Sequence, residues 1–150
     1  MNRMVWVAAF FSLLITQKLG AMECNSDLIS VAEVVSRYEV KFELRNVSEG
    51  DIEIYESSLP WRNRYSIFVS FFQFPSGRPI PESFVSDQSL PIAIVIKSGE
   101  ALAGVIDIRQ YISEAQVKLI TGPILMQWTH VSEDTEGQCV GFGGSSLLID

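Results

Sequence analysis

The 150-residue chain is poor in the side chains that most reaction centres need: it holds one histidine, His130, and two cysteines, Cys24 and Cys139. Catalytic zinc takes three protein ligands drawn largely from imidazole and thiolate, so a zinc hydrolase is not expected and no metal or cofactor is assigned. No G-x-S-x-G elbow, phosphate-cradling P-loop or dinucleotide fingerprint occurs. The stretch "GFGGSS" is glycine-rich, but it lacks a lysine and a following helical pattern, and it reads as a turn or bulge at Gly141 to Gly144.

Positive charge is scarce too. Eleven Lys and Arg face eighteen Asp and Glu, a formal charge of −7. Nucleic-acid binding draws its affinity from clustered Lys and Arg set against phosphates, and no such cluster exists, so a nucleic-acid partner is not expected.

Long apolar runs are the third absence. The longest near the start, Met4 to Ile15, is twelve residues, whereas a permanent membrane helix needs about 20. Arg3 precedes this run, and a short polar stretch leads to Leu19, Gly20 and Ala21. That is the architecture of a secretory signal peptide, residues 1–21, with cleavage expected between Ala21 and Met22. Cys24 follows Met22 and Glu23 rather than small residues, which does not fit a lipoprotein site. The expectation is an exported protein, periplasmic or secreted, with one domain at 22–150 and no stable membrane span after cleavage. Losing Arg3 and Lys18 leaves nine basic against eighteen acidic residues, a formal charge near −9.

Two cysteines in an oxidising compartment are expected to join, Cys24 to Cys139. The functional alternative is a reactive thiol working with His130.

Alternation dominates what is present. In "YEVKFELRN", Tyr38, Val40, Phe42 and Leu44 share one face while Glu39, Lys41, Glu43 and Arg45 share the other, the period-2 pattern of a half-buried strand. Asn46 to Gly50 reads as a turn, and "DIEIYES" repeats the alternation up to Pro60, so the two runs are expected to form a hairpin. "YSIFVSFFQF" is apolar on both faces: Phe68, Phe72 and Phe74 either lie under cover or form an exposed aromatic patch for a partner. Pro75 to Pro91 is an irregular connection that changes sheet. Strands follow in "IAIVIK" and "LAGVIDI", with Gly104 marking a bulge or close approach. Ser113 and Gln116, with Ile112 before and Val117 after, match a capping box with a hydrophobic staple at one short helix. "PILMQWTHVS" sets Met126, Trp128 and His130 on one face, and "SSLLID" closes the chain. The sum is an all-β fold, an immunoglobulin-like antiparallel β-sandwich of seven or eight strands with one short helical turn.

Between the second and third of these runs lies "LPWRNRYS". Trp, Arg and Tyr dominate interface hot spots, so Trp61, Arg62, Arg64 and Tyr65 are the candidate binding residues. Trp61, following a Leu-Pro corner, is expected to act mainly as a plug on the core, with the arginines more accessible. Glu133, Asp134 and Glu136 are oxygen ligands in a row, but their spacing is not that of a calcium loop. Asn46-Val47-Ser48 is a formal glycosylation triplet.

"FELRNVSEGDIEIYESSLPW" and "IVIKSGEALAGVIDI" together resemble uncharacterised small exported bacterial proteins. More loosely, they are similar to the β-rich domain preceding the catalytic part of deuterolysin-type metallopeptidases. The resemblance covers residues 38 to 108 and implies an immunoglobulin-like sandwich. The peptidase's two-histidine zinc helix has no counterpart, so no catalytic residue is carried over.

The expected function is therefore a non-enzymatic binding or interaction module whose partner is another protein. One alternative is an immunity protein or inhibitor that neutralises a periplasmic or extracellular toxin or hydrolase. The other is a small hydrolase using His130 with a nearby serine or acid.

Overall fold

Alternating side chains commit the chain to strands, and the computed structural model, which describes residues 24–83 and 91–150, shows nine of them. The expected signal peptide lies outside the described residues. In chain order the strands are β1 (Leu28–Ser36), β2 (Glu39–Asn46), β3 (Ile52–Tyr55), β4 (Ile67–Gln73), β5 (Arg78–Ile80), β6 (Ala93–Ile96), β7 (Ala101–Asp107), β8 (Ile124–Glu133) and β9 (Cys139–Ile149). One short helix, α1 (Glu114–Val117), begins at Ser113, whose hydroxyl accepts from the backbone N–H of Gln116. Among the described residues no helix is long and apolar enough to cross a membrane.

Seven strands form one sheet in the order β5-β4-β8-β9-β1-β2-β7, and β3 pairs with β6 in a second, small one. The large sheet folds over, so that β2 and β7 face β4 and β8 across a shared core. Val40 and Phe42 meet Ile67, Val69, Phe71, Met126 and Trp128 there. The Phe42 and Trp128 rings meet edge to face, with centroids 5.1 Å apart. A second cluster, around Leu28, Leu44, Ile54, Ile96 and Val140, lies under the small sheet. This is the expected all-β sandwich. It has nine strands rather than seven or eight, and β1 lies parallel to β9, so it is not antiparallel throughout.

The expected hairpin is corrected. β2 pairs with β1 and β7, and β3 with β6. Two strands change sheet side by side, β2 into β3 and β6 into β7, and Asn46 ties the two crossings together. Its fully buried side chain donates through Nδ2 to the carbonyls of Gly50 and Ile96, at 2.8 Å each, and accepts at Oδ1 from the N–H and hydroxyl of Ser48. A glycan at Asn46 would replace one of the two Nδ2 hydrogens and so break one of these donations, at a side chain with no exposed surface.

The glycine-rich turn is corrected as well. Gly141, Gly143 and Gly144 lie inside β9, paired with β8. A Cβ on Gly141 would meet the Leu28 carbonyl oxygen at 2.3 Å, and one on Gly143 would meet Ser30 Cβ at 2.6 Å. Glycine is required there because β1 passes close enough to close the sandwich. The Cys24–Cys139 disulfide joins the chain at the same junction, just before β1 and at the start of β9.

Candidate binding surface

The segment Leu59 to Ser66 is built from the inside outward. Leu59 and Pro60 are buried, and the Leu59 carbonyl accepts from the N–H groups of Arg62 and Asn63, 3.0 Å each. Asn63 then caps a 3₁₀ turn at Arg64–Ser66, its side chain accepting from Tyr65 N–H at 3.0 Å. Trp61 packs against both core clusters. Its indole lies on β7 so closely that a Cβ on Gly104 would sit 2.1 Å from Trp61 Cγ. Gly104 is therefore the close approach its sequence position suggested, and the half-buried Trp61 fixes the loop to the sheet.

The remaining loop residues face outward in different ways. Arg62 is exposed and paired with Glu56 at 3.0 Å. Arg64 donates to the Ser83 carbonyl, and its guanidinium lies over the rings of Tyr111, at 5.1 Å, and Tyr65, at 5.7 Å. Tyr65 is 46% exposed, and Phe68, at the start of β4, is 73% exposed. Of the two readings of the β4 outer face, Phe68 thus presents an open aromatic surface.

Recesses lie on either side of this pair. One, about 360 Å³, is lined by Arg64, Tyr65, Phe68, Ser70, Glu82 and Tyr111. The other, about 320 Å³, lies between Tyr65, Phe68, Val131 and the Ser57-Ser58 turn. Burial pushes the Tyr111 hydroxyl up to about 12, against the opposing pull of Arg64. Burial also raises the Glu82 carboxyl, with Arg64 again opposing. The first recess therefore combines aromatic walls with one cation and one weakened acid. Glu82 and Tyr111 escaped sequence reading because neither lies in an alternating run; they reach the site through an isolated bridge between Glu82 and Ile112.

His130 sits elsewhere. It is fully buried within β8, not at a strand end. Opposite it on β9 is Gly143, which has no side chain. The imidazole thus reaches past β9 to Ser30 on β1, Nδ1 to Oγ at 2.7 Å. Nε2 donates to the Ser58 carbonyl at 2.9 Å, which places the proton on Nε2 and leaves Nδ1 to accept from the Ser30 hydroxyl. A serine is within reach of the ring, but Ser30 and Ser132 are buried with it. The group joins β1, β8 and the base of the Leu59–Ser66 loop. The acidic row does local work too: Asp134 accepts from the N–H groups of Glu136 and Gln138 and shapes the turn between β8 and β9. Among the described residues no group of three or more His, Cys, Asp and Glu is placed to hold a metal ion.

Burial lowers the His130 pKa, with the bond to Ser58 opposing. The unfolded chain takes up this proton near pH 6.5 while the folded chain resists it. The contribution is therefore complete above pH 6.5 and falls as pH drops below it, by up to about 1.4 kcal/mol per pH unit. Denaturant melts between pH 7.5 and 5.5 should show this slope in the native chain and lose it in His130→Phe. Glu82 tilts the curve the other way in both proteins and cancels in the difference. An equal slope in the two would place the histidine in contact with water.

No family model and no curated protein sequence matches the chain. Solved structures resemble it distantly. The archaellum periplasmic stator protein FlaG from Sulfolobus acidocaldarius is 16% identical, with a TM-score of 0.36 over 80% of this chain and 97% of that one. A β-glucuronidase 2 from Bacteroides uniformis, covalently bound to cyclophellitol-6-carboxylate aziridine, is 12% identical, with a TM-score of 0.30 over 83% of this chain. The chain spans 13% of the glucuronidase. Likenesses this distant carry no functional argument.

Proposed function

We infer that the protein is an exported, non-enzymatic binding module that engages another protein through the Arg64–Tyr65–Phe68 surface. The observation that carries the reading is Phe68, an aromatic ring 73% exposed between two recesses and beside a half-exposed tyrosine. Apolar surface of this kind marks contact sites, and Tyr and Arg supply large, rigid anchors. The disulfide and the leader-like first residues support export. The sealed Ser30–His130 pair supports a non-enzymatic role, because a general base must reach a substrate proton.

Trp61 belongs to this surface as its foundation, and Arg62, already paired with Glu56, as its rim. The test is affinity capture from the exported fraction of the source cell, using the native chain and the double variant Arg64→Ala/Tyr65→Ala. The native chain should retain one protein in stoichiometric amount, and the double variant should lose it while still melting cooperatively, its stability lowered only by the Arg64 contacts to Ser83 and Tyr111. A toxin or hydrolase as the retained protein would identify the module as an inhibitor. Retention of the partner by the double variant would overturn the assignment of the surface.

A further inference from the structure

We propose that the outer edge of β7 is a strand-addition site, where an extended segment of another protein joins the large sheet through backbone hydrogen bonds. The site uses the main chain of Ala101, Ala103 and Val105 and does not rest on the reading given above.

Register decides which backbone groups are free. β7 runs antiparallel to β2, with Gly104 opposite Phe42. At the two ends of the pair, the Asn46 N–H donates to the Glu100 carbonyl at 2.9 Å and the Ile108 N–H donates to the Tyr38 carbonyl at 2.8 Å. Both bonds join even-numbered residues. In an antiparallel ladder a residue directs its N–H and C=O to one side and the next residue directs them to the other. Leu102, Gly104 and Ile106 therefore bond to β2, while Ala101, Ala103 and Val105 direct both groups away from it. β7 is the last strand of the large sheet, so that side holds no further strand. All three residues are exposed, and among the described residues no turn, loop or side chain bonds to their main chain.

The other edges are guarded. β5, at the opposite end of the sheet, has three residues, two of which are Arg78 and Pro79. In the small sheet, Asp134 bridges to Ile54 of β3, the Thr135 N–H donates to the Glu53 carbonyl, and β6 offers only four residues. Short length, proline, charge and cover are the devices that keep an edge from pairing. From Ala101 to Ile106, β7 has no proline, no charged residue and no break in its register.

The edge also selects its occupant. Alternating donors and acceptors along three outward residues match the main chain of an extended segment. On the outer face that segment meets two alanines and a valine. The charges one strand further in, Arg45 with Glu43 and Lys41 with Glu33, already neutralise each other. On the inner face a recess of about 100 Å³, between Val105, Ile106 and the loop at Pro60, Trp61 and Arg62, has room for one inward side chain. That side chain would cover more of the half-buried Trp61. Pairing of two β7 edges would set one formal charge of −7 against another, which selects a different protein over a second copy.

The test is NMR on the nitrogen-15-labelled exported chain, with a capped, uncharged five-residue peptide of alternating threonine and valine as the probe. Without peptide, the Ala103 and Val105 amides should exchange rapidly and those of Gly104 and Ile106 slowly. Peptide at about 1–10 mM should shift and slow Ala103 and Val105. The same peptide N-methylated at alternate nitrogens should bind at least tenfold more weakly. Ala103→Pro removes an outward donor and no bond to β2, so this variant should still melt cooperatively and lose the peptide. If it does not fold, the methylated peptide decides. Arg64→Ala/Tyr65→Ala should bind the probe like the native chain, which separates this edge from the other surface. Slow exchange at Ala103 and Val105 without peptide would mean that the chain covers its own edge, and would overturn the proposal. So would no response at about 10 mM, equal binding of the methylated peptide, or self-association abolished by Ala103→Pro.

Discussion

Gly104→Ala should destabilise the protein by about 3 kcal/mol, far more than one added methyl group does at an ordinary strand position. Its Cβ would occupy the place of the Trp61 indole, 2.1 Å from Cγ and 2.3 Å from Cδ2, so the ring must leave β7. Leaving β7 means leaving both core clusters, because Trp61 packs against each. Trp61→Ala should cost a similar amount, near the low end of the range for a large aromatic because the residue is half-buried. The informative measurement is the double variant. If one contact accounts for both losses, Gly104→Ala adds little once Trp61 is gone, and the coupling energy nearly equals one single loss. Additive losses would mean that the glycine serves the β7 backbone rather than the ring. Against the loss at Trp61, Arg64→Ala should cost only about 1 kcal/mol, for its bond to the Ser83 carbonyl and its place over Tyr111.

The second large effect belongs to the disulfide. Cys24 and Cys139 are 115 residues apart, so the bridge removes nearly the whole unfolded chain's freedom to separate its ends. In the chain-entropy model a loop of this length is worth up to about 5 kcal/mol. The bridge also lies where it matters for the fold. β1 and β9 meet in parallel next to it, with Leu28 opposite Gly141, and that junction joins the two halves of the large sheet. The double variant Cys24→Ser/Cys139→Ala should thus lose about 4 to 5 kcal/mol, lowering the melting temperature by on the order of 10–20 °C. Two titratable thiols in the exported protein, or a loss under about 1 kcal/mol, would remove the bridge from the account.

What could be read in advance follows from how local each interaction is. Val40, Phe42 and Leu44 point inward because alternation alone decides it, and the Ser113 cap of α1 needs only four neighbouring residues. Pairing is different. The alternation of β2 and β3 fits any neighbour; the true partners are β1 and β7 for β2 and β6 for β3, and the bond from Asn46 to the Ile96 carbonyl spans fifty residues. β1 is hidden in the sequence because its three valines are all exposed, which blurs the pattern in "LISVAEVVS". "GFGGSS" resembled a turn by composition, whereas its glycines answer to Leu28 and Ser30 on a distant strand.

The surface shows the same division. Tyr65, Arg64 and Phe68 were visible as residue types in a short stretch, and their joint placement follows from the Asn63 cap and the register of β4. Tyr111 and Glu82 come from a part of the chain with no periodic signal. His130 was open to a catalytic reading until its neighbours were known. The missing side chain at Gly143 lets its ring reach Ser30, and that bond places the histidine inside the sandwich.

The central claim is that this protein works through the outer surface at Arg64, Tyr65 and Phe68, with its only histidine sealed inside. Hydrogen exchange on the chain with and without its captured partner tests it most directly. Slowing should be confined to the segment from Arg62 to Phe72 and the neighbourhood of Tyr111, with β1 and β8 around Ser30 and His130 unchanged. Slowing centred on Ser30 and His130, with the Arg64–Phe68 segment exchanging as before, would contradict the account.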